Sequence, residues 1–228
     1  MVSVDNREGC NKLRMKSSIL IVDDHPMLRH GLAQLLNGEA DLEVLGEAGT
    51  ADEALEALRK SRFDLIITDL SLSGVSGIEL VRNIHARDAN LPVLVISMYD
   101  ETVYAERALR AGARGYIMKQ EATEKVLSAV RRLLAGDVYL SDALQAKMLR
   151  RAVGRRGDAP VLPVEVLSDR ELEVLRLMGR GRGTREISQE LHRSIKTVEA
   201  HRASLKDKLG LKTAAELAHF AAKWFNEG

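Results

Sequence analysis

Five short apolar runs, each followed by a segment whose apolar residues recur at helical spacing, lie between Ser18 and Leu134. The runs are Ser18 to Val22, Leu42 to Ala48, Asp64 to Thr68, Leu91 to Ser97 and Tyr116 to Met118. The first and third, short and almost continuously apolar, read as buried strands of the kind that builds parallel sheets. The segments between them carry helix signals. Pro26 suits a first helical turn ahead of Leu28, Leu32, Leu35 and Leu36. Thr50-Ala51-Asp52-Glu53 has the form of a capping box. Gly77 to Ala86, Glu101 to Ala111 and Glu121 to Leu134 complete the set. Strand and helix repeating five times predicts an α/β fold: a doubly wound, parallel five-stranded sheet with helices on both faces.

The remainder is a different kind of chain. Ser141 to Arg151 has helical period, after which Gly154, Arg155, Arg156, Gly157, Pro160 and Pro163 interrupt any pattern. That is linker composition. Beyond it only helices are predicted. One starts at the capping box Ser168-Asp169-Arg170-Glu171, and a short one covers Glu186 to Leu191. A longer one is capped by Ser194 and closed by Gly210, and a last one runs from Thr213 to Trp224-Phe225. Charge divides at the same place. Ser17 to Leu140 carries 13 Lys and Arg against 19 Asp and Glu, whereas Ser141 to Gly228 carries 17 against 12. An acidic half followed by a basic half points to two domains with different partners, the second a polyanion. The expected organisation is a disordered extension over 1–16, an α/β domain over 17–136, a linker with one helix over 137–163, and an all-α four-helix domain over 164–228.

Several classes of function drop out. No apolar stretch is long enough to span a membrane and no apolar h-region marks a secretory signal, so a cytoplasmic protein is expected. The single cysteine, Cys10, cannot make an internal disulfide. Aromatic residues make up 4% of the chain, too few for stacking on single-stranded bases to be an obvious mode. His25, His30, His85, His192, His201 and His219 show no metal spacing and read as surface or packing positions. Met15, immediately before the first apolar run, is a candidate start in place of Met1.

In an open parallel sheet the carboxyl ends of the strands share one edge, where reactive groups gather. Asp23, Asp24, Asp69, Ser97 and Lys119 each occupy such an end. One strand-end carboxylate is as readily a helix cap as a nucleophile; five such residues together point to chemistry. Three neighbouring carboxylates repel and need a cation in their charged forms. An all-oxygen site that keeps waters and binds phosphate suits Mg²⁺. Lys119 adds a positive charge and Ser97 a hydroxyl. The set matches phosphoryl transfer to a carboxylate nucleophile, with metal and Lys neutralising the equatorial oxygens. Asp69, on the middle strand, is the best placed acceptor.

These residues carry a resemblance. Residues 18–135 are similar to the receiver domain of two-component response regulators, through Asp23-Asp24, Asp69, Ser97 and Gly115-Tyr116-Ile117-Met118-Lys119. The stretch from Val22 to Leu32 resembles the NarL/FixJ class in particular. The resemblance implies a flavodoxin-like strand order, 2-1-3-4-5, and phosphotransfer from a sensor histidine kinase to Asp69. It implies Mg²⁺ held by Asp24, Asp69 and the Ser71 backbone carbonyl, with Asp23 acting through water. Ser97 would be the switch hydroxyl and Tyr116 the aromatic that turns inward. Leu72-Ser73-Gly74 departs from the family's usual Met-Pro before Gly, with Gly77 retained, and losing proline should loosen that loop.

In the basic half, a short helix, a turn at Leu191-His192-Arg193-Ser194 and a longer helix read as a helix-turn-helix over about Arg182–His201. By itself that spacing fits an ordinary solvated helix equally well. Residues 164–226 also resemble the LuxR-type four-helix DNA-binding domain, through Leu167 to Glu171, Glu186-Ile187, Lys196-Thr197-Val198-Glu199, His201-Arg202 and Lys208-Leu209-Gly210. The resemblance places Lys196, Thr197, Glu199 and Ala200 against bases and Arg202, Lys206 and Lys208 at phosphates. It implies double-stranded promoter DNA as partner, a homodimer when phosphorylated, contact with RNA polymerase, and a receiver that covers the recognition helix until then. The whole reads as a phosphorylation-dependent transcriptional regulator, not a turnover enzyme. The competing reading is a signalling adaptor whose helical domain binds protein. An aspartyl-phosphate hydrolase would want an acid where Ser71 stands.

Overall fold

In the computed structural model, residues 16–72, 76–153 and 163–227 are described. The expectations for residues 1–15 with Cys10 and Met15, for Ser73-Gly74 and for the centre of the linker fall outside the described residues. The five runs form β1 (Ser17–Val22), β2 (Leu42–Ala48), β3 (Leu65–Thr68), β4 (Val93–Ser97) and β5 (Gly115–Met118). All pair in parallel, in the order β2-β1-β3-β4-β5. Between and after them come α1 (Pro26–Asn37), α2 (Ala51–Lys60), α3 (Gly77–Arg87), α4 (Glu101–Ala111) and α5 (Ala122–Leu134).

Side chains alternate across the sheet with period two. Ile19, Ile21, Leu65, Ile67, Leu94 and Ile96 face α1 and α5, against Leu32, Leu36, Val126 and Val130. Leu20, Val22, Ile66, Val93, Val95 and Tyr116 face α2, α3 and α4, against Ala54, Leu80, Val81, Ile84 and Ala105. Every residue of β3 is buried. Each Leu or Ile so buried contributes roughly 1.5–3 kcal/mol, and a one-residue slip would exchange the two faces. The register is therefore strongly set, and it fixes where the strand-end residues stand.

Gly77 brings α3 close to the end of β3. A Cβ there would lie 2.2 Å from the Asp69 carbonyl oxygen, and the Gly77 amide donates to the Leu70 carbonyl at 3.0 Å. After α5 the chain returns along β5: the Tyr116 amide donates to the Tyr139 carbonyl at 3.0 Å, and the Tyr139 amide to the Arg114 carbonyl at 2.9 Å. That bridge, absent from the sequence reading, ties the start of the linker to the sheet edge.

Helix α6 (Asp142–Ala152) follows, and after the linker a 3-10 turn (Pro163–Val166) leads to α7 (Asp169–Gly179), α8 (Thr184–Glu190), α9 (Ile195–Leu209) and α10 (Ala214–Glu227). The predicted capping box opens α7: Ser168 Oγ accepts from the Glu171 amide at 3.3 Å, and the Glu171 carboxylate accepts from the Ser168 amide at 2.6 Å. Leu172, Val174, Leu175 and Leu177 are buried where α7 packs against α9 and α10. Among the described residues no helix is long and apolar enough to cross a membrane.

Candidate functional site

The sheet brings the strand-end residues together. Asp69 follows β3, its amide donating to the Val22 carbonyl at 2.9 Å; Asp23 follows β1, its amide donating to the Ala48 carbonyl at 3.1 Å. Both carboxylates are buried. Lys119 reaches over from the end of β5 and sets its ammonium 2.8 Å from Asp23 Oδ2 and 2.8 Å from Asp69 Oδ2. The Ser71 hydroxyl donates to the same Asp69 oxygen at 2.9 Å. Asp69 Oδ1 is buried with no hydrogen-bond partner among the described residues.

Asp24 is half-buried. His25 Nδ1 lies 2.7 Å from Asp24 Oδ1 and 3.1 Å from Asp23 Oδ1, while the His25 amide donates to Asp23 Oδ1 at 2.8 Å. One potential ligand atom each from Asp23, Asp24, His25 and Asp69 lie within 4.8 Å of one another. His25 is exposed, as expected of a surface position, but its Nδ1 adjoins both carboxylates. Its position directly after Asp23-Asp24 at a strand end was the available signal.

Ser97 is fully buried, and its hydroxyl accepts from the Tyr99 amide at 3.2 Å. The Tyr116 ring is already turned inward: it is buried, and its hydroxyl donates to the Tyr99 carbonyl at 2.6 Å. Burial pushes its phenol well above the ordinary range. Burial alone would depress the Lys119 ammonium, but Asp69 and Asp23 outweigh it and hold the group above its usual value.

The charges fit a hard divalent cation. The donors are carboxylates, three of them share a small volume, and Asp69 Oδ1 has a free acceptor site. The same Oδ1 is the oxygen open to a new bond, since Oδ2 is held by Lys119 and Ser71.

In the helical domain, α8 and α9 are joined by a tight turn. His192 takes φ +49°, and the Ser188 hydroxyl donates to the Arg193 carbonyl at 2.6 Å. Ser194 caps α9 by accepting from the Thr197 amide at 3.1 Å. Ile187, Val198 and Leu205 turn inward, which leaves Lys196, Glu199 and Ala200 exposed at the start of α9. Not all predicted contact residues are alike. Thr197 Oγ1 lies 2.8 Å from Ser194 Oγ. Arg202 donates to the Thr184 hydroxyl, and Lys206 is half-buried. The Lys208 ammonium sits 2.7 Å from Glu171 Oε2, whose other oxygen accepts from Ser204 at 2.5 Å. Arg202 and Lys208 thus have partners within the domain, which sequence spacing could not reveal, although the Lys208 side chain remains exposed.

The two domains meet through contacts that no sequence pattern reveals. Arg107 of α4 donates to the carbonyls of Leu167 at 2.7 Å and Val164 at 2.9 Å, and to Asp169 Oδ1 at 3.1 Å. Arg82 of α3 reaches Asp169 Oδ2 at 3.0 Å, and Arg170 pairs with Glu79. The Arg176 guanidinium lies 4.4 Å from the centroid of the Tyr99 ring. The receiver thus grips α7 and the turn before it. Lys196, Glu199 and Ala200 are exposed in the full chain.

A parallel sheet with a buried Asp-Asp-Lys cluster at its carboxyl edge, joined to a four-helix helix-turn-helix unit, defines a receiver coupled to an effector. Comparison with known proteins agrees. Residues 19–131 match the response regulator receiver domain, and residues 165–221 match the bacterial regulatory proteins of the luxR family. The chain is 37% identical over 209 residues to the oxygen regulatory protein NreC of Staphylococcus carnosus (strain TM300), covering 90% of this chain and 96% of that one. It is similar to RcsB of Salmonella enterica serovar Typhimurium bound to promoter rprA in the presence of phosphomimetic BeF3−, with a TM-score of 0.64, 27% identity and coverage of 91% and 98%. A structure of two RcsB dimers bound to two parallel DNAs matches with a TM-score of 0.55 at 27% identity, again covering 91% and 98%. The chain belongs to the response regulators of the NarL/FixJ class, with a receiver domain and a LuxR-type DNA-binding domain.

Proposed function

We propose that this protein is a phosphorylation-dependent transcriptional regulator in which Asp69 accepts a phosphoryl group from a sensor histidine kinase. The observation that carries the reading is the asymmetry of the Asp69 carboxylate: Oδ2 is bound by Lys119 and Ser71, while Oδ1 is buried without a partner. Oδ1 attacks the phosphorus of the phosphohistidine; the O–P bond forms, the N–P bond breaks, and the leaving imidazole takes a proton. Lys119 neutralises charge gathering on the phosphoryl oxygens. Mg²⁺ held by Asp23, Asp24 and Asp69, with the Ser71 carbonyl, would supply further neutralisation and orientation. Each Asp69 accepts one group, so the step is stoichiometric and not a turnover. Ser97, close to the cluster, and the inward Tyr116 carry the change toward α4 and β5.

The division into a receiver over 17–136, a linker over 137–163 and an effector over 164–228 belongs to the same reading. So does a cytoplasmic setting, where promoter DNA is met. The recognition helix is α9. Lys196, Glu199 and Ala200 face the bases, Thr197 stands at their edge, and Lys206 approaches phosphate. Because α9 is exposed in the docked arrangement, the receiver restrains the effector by gripping α7 and residues 163–167. Phosphorylation alters that grip and promotes dimerisation on paired promoter half-sites, as the RcsB dimers on DNA support. RNA polymerase is the next contact of such a complex.

Incubation with Mg²⁺ and a small phosphodonor tests the acceptor. One phosphoryl group is gained by mass, and Asp69→Asn gains none; an equal gain in the variant sinks the assignment. Salt-dependent binding to duplex promoter DNA separates a DNA regulator from an adaptor that binds protein.

A further inference from the structure

The domain contact holds a cation that the reading above leaves unused. Arg176, on α7, is 8% exposed, and its Nε and Nη1 atoms are buried without a hydrogen-bond partner among the described residues. Stacking on Tyr99 returns part of the cost of burying it, but a desolvated cation with idle donors calls for an acceptor. Its neighbour on α7 is matched differently: Arg170 pairs with Glu79 and, at 2.9 Å, with Glu173.

The surroundings indicate the acceptor. A cavity of about 260 Å³ lies between the domains, walled by Asp24, His25 and Ser71 on the receiver side and by Glu173, Arg176 and Arg180 on the effector side. Ser71 holds the Asp69 carboxylate, and Asp24 shares its cluster. A group added to the Asp69 carboxylate therefore lies beside two residues that wall this cavity. Tyr99 lies against the same guanidinium. Burial raises its phenol, Arg176 counters that rise and Asp69 adds to it, so one ring lies in the field of both.

We propose that Arg176 is the effector domain's own contact to the phosphoryl group on Asp69, completing a phosphoryl-dianion site across the domain boundary. The inference rests on Asp69 as the acceptor. On phosphorylation the guanidinium leaves the Tyr99 ring face and donates Nε–H and Nη1–H to two phosphoryl oxygens, the two-pronged pairing that guanidinium favours. The same negative charge repels Glu173 and Glu190 on the effector wall. Attraction and repulsion on one face turn α7 and couple the receiver's chemistry to the DNA-binding unit.

The test uses the full-length chain with Mg²⁺ and beryllofluoride, a phosphoryl mimic that binds an acceptor aspartate. Arg176→Met keeps an apolar stem against Tyr99 and removes the donors, whereas Arg176→Lys keeps the charge. Arg176→Met is expected to weaken beryllofluoride binding about tenfold, the low end for charge-assisted hydrogen bonds, and Arg176→Lys, a point charge without the planar fork, to recover only part of that loss. Equal affinity of Arg176→Met and wild type, with matching thermal unfolding, overturns the proposal. Arg176→Gln takes the place of a methionine variant that does not fold. If Asp69→Asn binds beryllofluoride as wild type does, the acceptor assignment itself fails and the proposal falls with it.

Discussion

The Lys119 ammonium and the Asp69 carboxylate form a buried ion pair at 2.8 Å, with side-chain exposures of 7% and 0%. The same ammonium stands 2.8 Å from Asp23, so one cation balances two carboxylates that would otherwise face each other across a small, dry space. Such a cluster does not of itself add stability; its cost appears when one partner is removed. The arrangement ties the charge balance of the receiver to whatever occupies Asp69, which is what a phosphate-controlled device requires.

Removing the cation should therefore be felt before any phosphorylation. Lys119→Ala leaves Asp23 and Asp69 uncompensated, and a loss of about 3–5 kcal/mol of unfolding free energy is expected. Urea denaturation with EDTA measures it. Added Mg²⁺ should restore part of the loss, because it binds the folded cluster and not the unfolded chain. A variant as stable as wild type without Mg²⁺ would show that the carboxylates do not depend on this ammonium.

Gly77 is the steric counterpart. Its missing Cβ would lie 2.2 Å from the Asp69 carbonyl oxygen and 2.4 Å from the Leu70 Cα, both backbone atoms that cannot step aside like a side-chain tip. Gly77→Ala should cost about 1–3 kcal/mol as an overpacking change and slow phosphorylation of Asp69 by displacing it. Gly136→Ala is the useful contrast: no atom lies within 4 Å of a Cβ there, but its φ is +91°. That variant should lose stability through backbone strain with the phosphorylation rate unaltered.

Much of this was legible in the sequence, for identifiable reasons. β3 and β4 are readable because buried parallel strands are apolar throughout, whereas the edge strand β2 alternates; β1 and β3 place Asp23 and Asp69 at the carboxyl edge wherever a sheet of order β2-β1-β3-β4-β5 is formed. Ser168 and Glu171 announced α7 because a capping box is local. His25 was missed because its link to Asp23 and Asp24 follows from the chain's turn after β1, not from any spacing of histidines. Lys208 was assigned to DNA because a basic residue on a recognition helix looks alike whether it faces phosphate or Glu171. Arg107 and Arg176 were invisible for a deeper reason: their partners lie in the other domain, and no periodic pattern encodes how two finished domains dock.

Arg107 makes that docking testable. One guanidinium holds the carbonyls of Val164 and Leu167 and the Asp169 carboxylate. Arg107→Ala removes charge-assisted bonds that typically contribute about 1.5–3 kcal/mol each. Faster amide exchange over residues 163–169 and a larger radius of gyration by small-angle scattering are expected. The unfolding midpoint of the isolated sheet should barely move, since Arg107 is not part of its core. Unchanged exchange in 163–169 would mean that Arg82 and Arg170 suffice to hold the contact.

Lys196 and Lys208 should separate in a salt titration. Lys196 is exposed at the start of α9, whereas Lys208 is bound to Glu171. Lys196→Ala is expected to weaken promoter binding and, because a cation at the DNA surface is lost, to lower the slope of log affinity against log salt by about one. Lys208→Ala should leave that slope alone and lower the stability of the helical domain instead. A reduced slope with Lys208→Ala would return that residue to the DNA contact set.

Glu171 then gives the effector a pH signature. Burial alone would raise its carboxyl, but Lys208, Ser204 and Ser168 overcome that and hold it at about 2, below its ordinary value of 4.5. A carboxyl depressed in the folded state contributes stability that is fully present above its unfolded value and is lost as pH falls through its folded value. Unfolding of the helical domain, followed by its own amide exchange, should therefore become easier from about pH 4.5 down to about pH 2. Glu171→Gln should be less stable at neutral pH and show a flatter profile across that window. Lys208→Met should flatten it in part, because Ser204 and the Ser168 amide still bind the charged form. A Glu171→Gln profile with the slope of wild type would assign the acid sensitivity to other carboxylates.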